Sequence, residues 1–290
     1  MLKQRLVTAV IGLPLLLSAI IFLPKIYISF IFLLFVCTTV FEISRMLYPA
    51  LMSKFQVAGK DAEKSNGKWA ASFCVLAAAL MYAVAIMMNL SSTERGGIIA
   101  VFMLVMLIAT FSGKTIDQSM AHLICVLVSL CYGCLPWMTI WDLYLMGDHA
   151  RYVLLTLAIV MMGDSGAYFS GLYFGKRKLA PRLSPKKTWE GVVGGLIASI
   201  LGSLTINLIF QWSLGPAWLM VILALIAGTA GVLGDLLESS FKRFADVKDS
   251  GSILPGHGGF LDRVDSILFA APMVWLILYT YVNLIGTFSS

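Results

Sequence analysis

Charge is what this chain has least of. Only 12% of its 290 residues are Asp, Glu, Lys or Arg, about half the share of an ordinary soluble domain. That shortage excludes an ordinary soluble enzyme. Low-complexity tracts are absent and 59% of the residues are hydrophobic, which excludes a disordered chain. There are three histidines and five cysteines. Cys131 and Cys134 have half the spacing of a zinc site, but no second pair or nearby histidine completes it. Cys37, Cys74, Cys125, Cys131 and Cys134 all lie in apolar stretches and are read as small buried hydrophobes. His122 and His149 are isolated and are assigned no chemistry. What remains is a chain whose solvent is lipid. Its length allows roughly nine crossings of about 20 residues each, with no room for a sizeable soluble domain.

A charge at mid-bilayer is expensive, so uncharged stretches mark the crossings. Residues 6–24, 69–93, 96–113, 118–141 and 266–290 each lack Asp, Glu, Lys and Arg. The uncharged run 191–234 holds 44 residues, about twice a bilayer at a rise of about 1.5 Å per residue. It must fold back, and Ser213-Leu214-Gly215-Pro216 is the natural turn. Two spans are less clean: one runs from near Ile26 past Glu42, and one begins at Tyr152 and is interrupted by Gly163-Asp164-Ser165-Gly166. The expected fold is all-α and polytopic, with about nine transmembrane helices. Residues 1–150 supply about five spans, and residues 151–290 form a catalytic transmembrane region with cytoplasmic motif loops.

With the N-terminus in the cytoplasm, 18 of the 21 Lys and Arg residues fall inside, and only Lys25, Arg95 and Arg151 fall outside. That bias supports nine spans with the C-terminus on the outer side. Lys3 and Arg5 before an apolar run give residues 6–24 the look of a signal peptide. The run exceeds a typical signal core and no small-x-small cleavage site precedes Pro24-Lys25, so it is read as a retained first helix. The net charge of +6 mostly restates the same bias. It suits contact with anionic headgroups and gives no pointer to nucleic acid.

Eight of the fifteen acids lie between Asp164 and Asp265, so the chemistry belongs to the second half. Asp164 sits some thirteen residues into a span, where an ionisable group marks a functional site by default. Next comes a basic run ending in Ser184-Pro185-Lys186-Lys187-Thr188-Trp189-Glu190-Gly191. Lys186 and Lys187 beside the hydroxyls of Ser184 and Thr188 are suitable donors to a phosphate chain. The helix that begins at Glu190 would also favour an anion at its N-terminus. In the third block, Gly234-Asp235-Leu236-Leu237-Glu238-Ser239, the two acids are three apart and share a helix face. Such a pair is either a solvated helix end or a set of ligands for a hard cation.

The fourth block runs from Ser239 to Ser266 and alternates acids and bases around Pro255-Gly256-His257-Gly258-Gly259. Asp262 and Asp265 share a face at the start of the next helix. Carboxylates, cations and flexible backbone at a membrane surface point to metal-assisted chemistry on phosphates.

This block resembles the signature of the phosphatidate cytidylyltransferases, or CDP-diacylglycerol synthases. Ser239, Lys242, Arg243, Lys248, Asp249, Gly251, Leu254, Pro255, His257, Gly258, Gly259, Asp262, Arg263 and Asp265 all fall in register with it. The blocks at 163–168, 184–191 and 234–239 resemble family segments in the family's order. The resemblance covers about 155–270 by motif, and residues 1–150 by length and topology only. It implies conversion of phosphatidate and CTP into CDP-diacylglycerol and pyrophosphate, in a nine-helix fold with a funnel-like cavity facing the cytoplasm. It also implies a two-cation centre with Mg²⁺, K⁺ being the candidate second ion. Bacterial-length members of the family sit in the inner membrane, and a homodimer is the assembly to test.

Carried over, Asp235 and Asp262 become the leading cation ligands. Asp164, Asp249 and Asp265 follow, as ligands or as their orienting shell. Ser184, Lys186, Lys187, Thr188, Lys242, Arg243, Lys248 and Arg263 become substrate contacts, and Gly258 and Gly259 allow close backbone approach. Lys187 and Asp249 are counted with the catalytic groups. His257 is expected to contact nucleotide or orient an acid, because a phosphate monoester is already largely ionised near neutrality and needs no strong base. Rival readings are a CTP-using transferase with another lipid acceptor, a CTP-dependent lipid kinase releasing CDP, and a transporter. The transporter lacks the internal repeat that such folds often show.

Overall fold

In a lipid solvent every backbone N–H and C=O must be satisfied within its own segment, so apolar runs become helices. The computed structural model describes residues 12, 14–55, 68–87, 96–146, 150–211, 213–253 and 258–288. Residues 14–22 are helical. The further helices are α1 (Lys25–Lys54), α2 (Lys68–Met87), α3 (Gly96–Phe111), α4 (Ile116–Gly133), α5 (Leu135–Met146) and α6 (Arg151–Phe174), then α7 (Trp189–Ile209), α8 (Ala217–Phe244) and α9 (Leu261–Phe288). Among the described residues, one departure from the all-α expectation lies between α6 and α7. There β1 (Lys178–Ala180) pairs antiparallel with β2 (Ser184–Thr188), Lys178 opposite Thr188 and Ala180 opposite Ser184.

Among the described residues, six helical stretches are long and apolar enough to cross a membrane, α4 and α5 counting together as Ile116–Met146. Two shorter apolar helices, Ala70–Ile86 and Ile98–Phe111, fall within segments expected to span. Residues 6–11 and 13 of the first expected span lie outside the described residues, as do His149 and His257. The chain divides into two compact units. One comprises Met1–Met138 with Phe241–Arg263, the other Thr139–Ser240 with Val264–Ser290.

In the first unit, α1 packs against α2 and α4, and α3 packs against α4. Phe32, Val36, Val40, Ile43, Met81, Tyr82 and Leu130 form its core. Close approach is possible because Gly133 has no Cβ, which would press on Val40 and Ile43. Thr39 Oγ1 then donates to the Gly133 carbonyl at 3.0 Å. Thr115 caps α4, accepting from Gln118 N at 3.2 Å. His122 is buried between Tyr48 Oη at 3.1 Å and Ser112 Oγ at 2.6 Å, a satisfied interior histidine. Cys74, Cys125 and Cys134 are buried and Cys37 partly so, but Cys131 is exposed on α4, unlike the buried thiol expected of it.

In the second unit α6 runs through Gly163–Gly166 without a break, where an interruption was expected. The glycines there serve packing. A Cβ on Gly163 would collide with Ser199 Oγ, and one on Gly166 with Ala198 Cβ. Opposite them, a Cβ on Gly194 would collide with Ser170, and one on Gly202 would press on Met162. Small residues thus bring α6 and α7 into close contact along their length, as in membrane helix pairs generally. Ser199 Oγ donates to the Ile159 carbonyl at 2.8 Å across the pair. The turn between α7 and α8 falls at the expected Ser213–Pro216. Asn207 holds it, donating to the Gly215 carbonyl at 2.9 Å and accepting from Leu214 N at 3.3 Å.

Candidate active site

The second unit holds an acidic centre. Asp235 and Glu238 lie one turn apart on α8, Asp265 lies in the first turns of α9, and their nearest carboxylate oxygens are all within 4.8 Å of one another. Glu238 is fully buried. Lys187, the penultimate residue of β2, places Nζ 2.6 Å from Asp235 Oδ2 and donates to the Val232 carbonyl at 3.4 Å. The hairpin sets that reach. Arg177 O accepts from Trp189 N at 3.0 Å, and the Glu190 carboxylate accepts from Lys176 N and Arg177 N at 3.0 and 3.1 Å. Gly234 lets α8 approach α9 at the same level, where a Cβ would press on the Asp265 carbonyl and Phe269.

Three hard oxygen donors this close suit a small divalent cation, and one ammonium offsets only part of their charge. Asp164 lines a narrow cleft of about 20 Å³ with Gly163, Ala167, Gly195, Gly231 and Ser266, little more than room for a water molecule. The three-acid cluster therefore differs from the expected set. Among the described residues it joins Asp235 and Asp265 with Glu238, which the spacing had paired with Asp235 but which the resemblance left out. Asp164 is not in it.

In the first unit the signature loop is organised around Asp262. Its Oδ2 accepts from Ser250 N at 3.0 Å and Gly259 N at 2.9 Å, and Oδ1 accepts from Lys242 Nζ at 2.7 Å. Asp262 therefore acts as the hub of the loop, and Lys242 neutralises it. Gly258 has φ of +85°, a conformation that suits glycine. Lys248, Asp249, Arg243 and Arg263 are exposed, and Ser184 and Lys187 are partly so. Lys186 is exposed at the hairpin surface. Thr188 is instead buried as the N-cap of α7, its Oγ1 accepting from Gly191 N at 3.1 Å.

The sequence profile described as "Cytidylyltransferase family" matches residues 3–281. The chain belongs to that family. It is 43% identical over 152 residues to the phosphatidate cytidylyltransferase of Staphylococcus saprophyticus, covering 52% of this chain and 57% of that protein. It is 46% identical over 127 residues to the phosphatidate cytidylyltransferase of Bacillus subtilis, covering 44% of this chain and 47% of the relative. The matched stretch spans about half the length of these relatives. The profile, by contrast, takes in nearly the whole chain, including helices that no catalytic motif marks.

The sequence reading missed one buried acid in those helices. Glu42 on α1 was noted only as a blemish in a span, yet its carboxylate accepts from Phe260 N at 3.0 Å and Leu261 N at 2.8 Å. The available signal was a lone Glu in an otherwise uncharged run, the same signal that singled out Asp164.

Proposed function

We propose that this protein transfers the cytidylyl group of CTP to phosphatidate, giving CDP-diacylglycerol and pyrophosphate. The observation that carries the reading is the convergence of Asp235, Glu238 and Asp265 beside Lys187, in a chain of the cytidylyltransferase family. Both substrates are polyanions, and their repulsion must be offset before a phosphatidate oxygen can attack the α-phosphorus of CTP. Asp235, Glu238 and Asp265 would hold Mg²⁺, which supplies charge neutralisation on the reacting phosphates. Lys187 contributes a positive charge at the same centre and is aimed by the β1–β2 hairpin. The nucleophile carries its second charge near neutrality because phosphate monoesters titrate near pH 6, so no strong general base is required.

Lys186, Lys242, Arg243, Lys248 and Arg263 are the proposed phosphate contacts, Ser184 a further donor, and Asp249 an orienting acid. Thr188 acts indirectly, by starting the helix that follows the lysines. Asp262 orders the signature loop in this reading, and its hydrogen bonds support that role. His257 keeps its proposed role of contacting nucleotide or orienting an acid. K⁺ remains the candidate for a second cation, and a homodimer the candidate assembly. The protein is proposed to cross a bacterial inner membrane nine times, N-terminus in and C-terminus out, with the motif loops facing the cytoplasm. The large apolar side chains exposed on α6 and α7, among them Phe169, Leu172, Val193, Ile197 and Leu201, suit a lipid-facing surface.

The test is pyrophosphate release by the purified protein in detergent with CTP, Mg²⁺ and phosphatidate, each omitted in turn. Release that needs all three, with CDP-diacylglycerol formed, is expected. Release of CDP instead would convert the reading to a lipid kinase, and untouched CTP in every mixture would overturn it. Orientation is tested in a cysteine-free background. A membrane-impermeant thiol label applied from the cytoplasmic side should reach a cysteine at Lys248, and labelling only from the outer side would invert the topology.

A further inference from the structure

Glu42 is an anomaly that the proposed reaction does not use. It lies in the middle of α1, 2% exposed, in the first unit. A carboxylate there is costly unless its oxygens are hydrogen-bonded. Its partners all come from a segment more than 200 residues away. Oε1 accepts from Phe260 N at 3.0 Å, while Oε2 accepts from Leu261 N at 2.8 Å and from Ser250 Oγ at 3.1 Å. Leu261 is the first residue of α9, so two of these donors are N–H groups that the start of a helix leaves without an intrahelical partner. Glu42 thus works as a helix cap supplied from another helix.

The same side chain accounts for two glycines of the signature block. A Cβ on Gly251 would collide with Glu42 Oε1, and one on Gly259 would press on Glu42 Oε2 and collide with Ser250 Oγ. Both positions need glycine because the Glu42 carboxylate lies against the backbone. Ser250 links the acid to the loop's hub. Its hydroxyl lies 3.1 Å from both Glu42 Oε2 and Asp262 Oδ2. Asp262 Oδ2 already accepts from Ser250 N and Gly259 N, which fill its two lone pairs, so the single hydroxyl proton is directed to Glu42. A second anchor acts beside it. The Phe260 ring packs on Phe35 of α1 at 4.8 Å and stacks on Trp137 of α5 at 6.2 Å, and Trp137 Nε1 donates to Thr39 of α1 at 3.1 Å.

We propose that Glu42 is a positioning residue for the transferase reaction, holding Ser250 and the start of α9 so that Asp262 and its loop keep one geometry. The inference rests on the proposed cytidylyltransferase activity. It also gives the motif-poor N-terminal half a task in catalysis, because α1 carries the carboxylate that shapes the loop.

The experiment compares the full-length wild type, Glu42→Gln, Ser250→Ala and the double variant in detergent. Folded fraction, KM for CTP, kcat per folded enzyme and amide exchange at Phe260 and Leu261 are measured for each. Glu42→Gln keeps the volume but turns one oxygen into a donor facing N–H groups. It is expected to lower kcat by about 10- to 100-fold, to leave KM for CTP within about threefold, and to speed exchange at both amides. Ser250→Ala should lower kcat less, and the double variant should be no worse than Glu42→Gln, because both changes cut one link. A kcat per folded molecule that stays at the wild-type value, with only the folded fraction reduced, would show a purely structural role and overturn the proposal. If Glu42→Gln does not fold, Ser250→Ala decides alone, and an unchanged kcat there overturns it. A wild type that forms no CDP-diacylglycerol sinks the functional reading and this role with it. The exchange data would then still report whether Glu42 holds the loop.

Discussion

Glu238→Gln should raise the stability of the cation-free protein while removing its activity. The substitution keeps shape and takes away one of three carboxyl groups whose oxygens lie within 4.8 Å. Two charges at that distance repel by about 3.5 kcal/mol at an effective dielectric of about 20, and by about 1 kcal/mol in bulk water. Asp235 is already partly neutralised by Lys187 at 2.6 Å, so a net gain of about 1–3 kcal/mol is expected. In EDTA that corresponds to a midpoint a few degrees above wild type. Saturating Mg²⁺ should stabilise wild type and do much less for the variant, because one ligand is gone. Pyrophosphate release should fall at least about 100-fold, the kinetic equivalent of about 3 kcal/mol. The assay is thermal unfolding of detergent-purified protein in EDTA and in Mg²⁺, with turnover measured in parallel. A variant less stable than wild type in EDTA, with activity and Mg²⁺ dependence unchanged, would refute the cluster as a cation site.

Three further outcomes are expected. Lys187→Met should leave Asp235 without its 2.6 Å partner and lower kcat/KM for CTP by about 100-fold in the release assay. Asp262→Asn should release Lys242 and the amides of Ser250 and Gly259, costing about 3 kcal/mol of stability together with turnover. Near-normal activity would remove Asp262 from the working loop. Gly194→Val should wedge α6 from α7 at Ser170, costing about 1–3 kcal/mol; an unchanged unfolding midpoint would contradict the close packing.

How much of this was legible depends on range. The charge gaps located the long helices, because a lipid solvent penalises a misplaced charge wherever the chain goes. The fold-back of the 44-residue uncharged run at Ser213–Pro216 was legible for the same reason. The glycines at 163 and 166 were misread as a break. Glycine marks both broken helices and tight helix pairs, and only the small residues opposite, on α7, decide between them. Thr188 was read as a phosphate donor because a hydroxyl beside two lysines looks like one, whereas its position at the start of α7 makes it a cap.

The sequence by itself determined the solvent, the helical class and the family, and it singled out the blocks proposed to carry chemistry, since these follow from composition and local order along the chain. Tertiary structure alone decided which acids meet. Asp235 and Glu238 were a pair by spacing, but Asp265 joins them only because Gly234 lets α8 approach α9. Lys187 reaches Asp235 only because a hairpin turns it there. Glu42 meets Leu261 across 219 positions. No local pattern encodes such a contact, because it exists only once the helices have packed and the cost of burying a carboxylate has been met by donors from elsewhere in the chain.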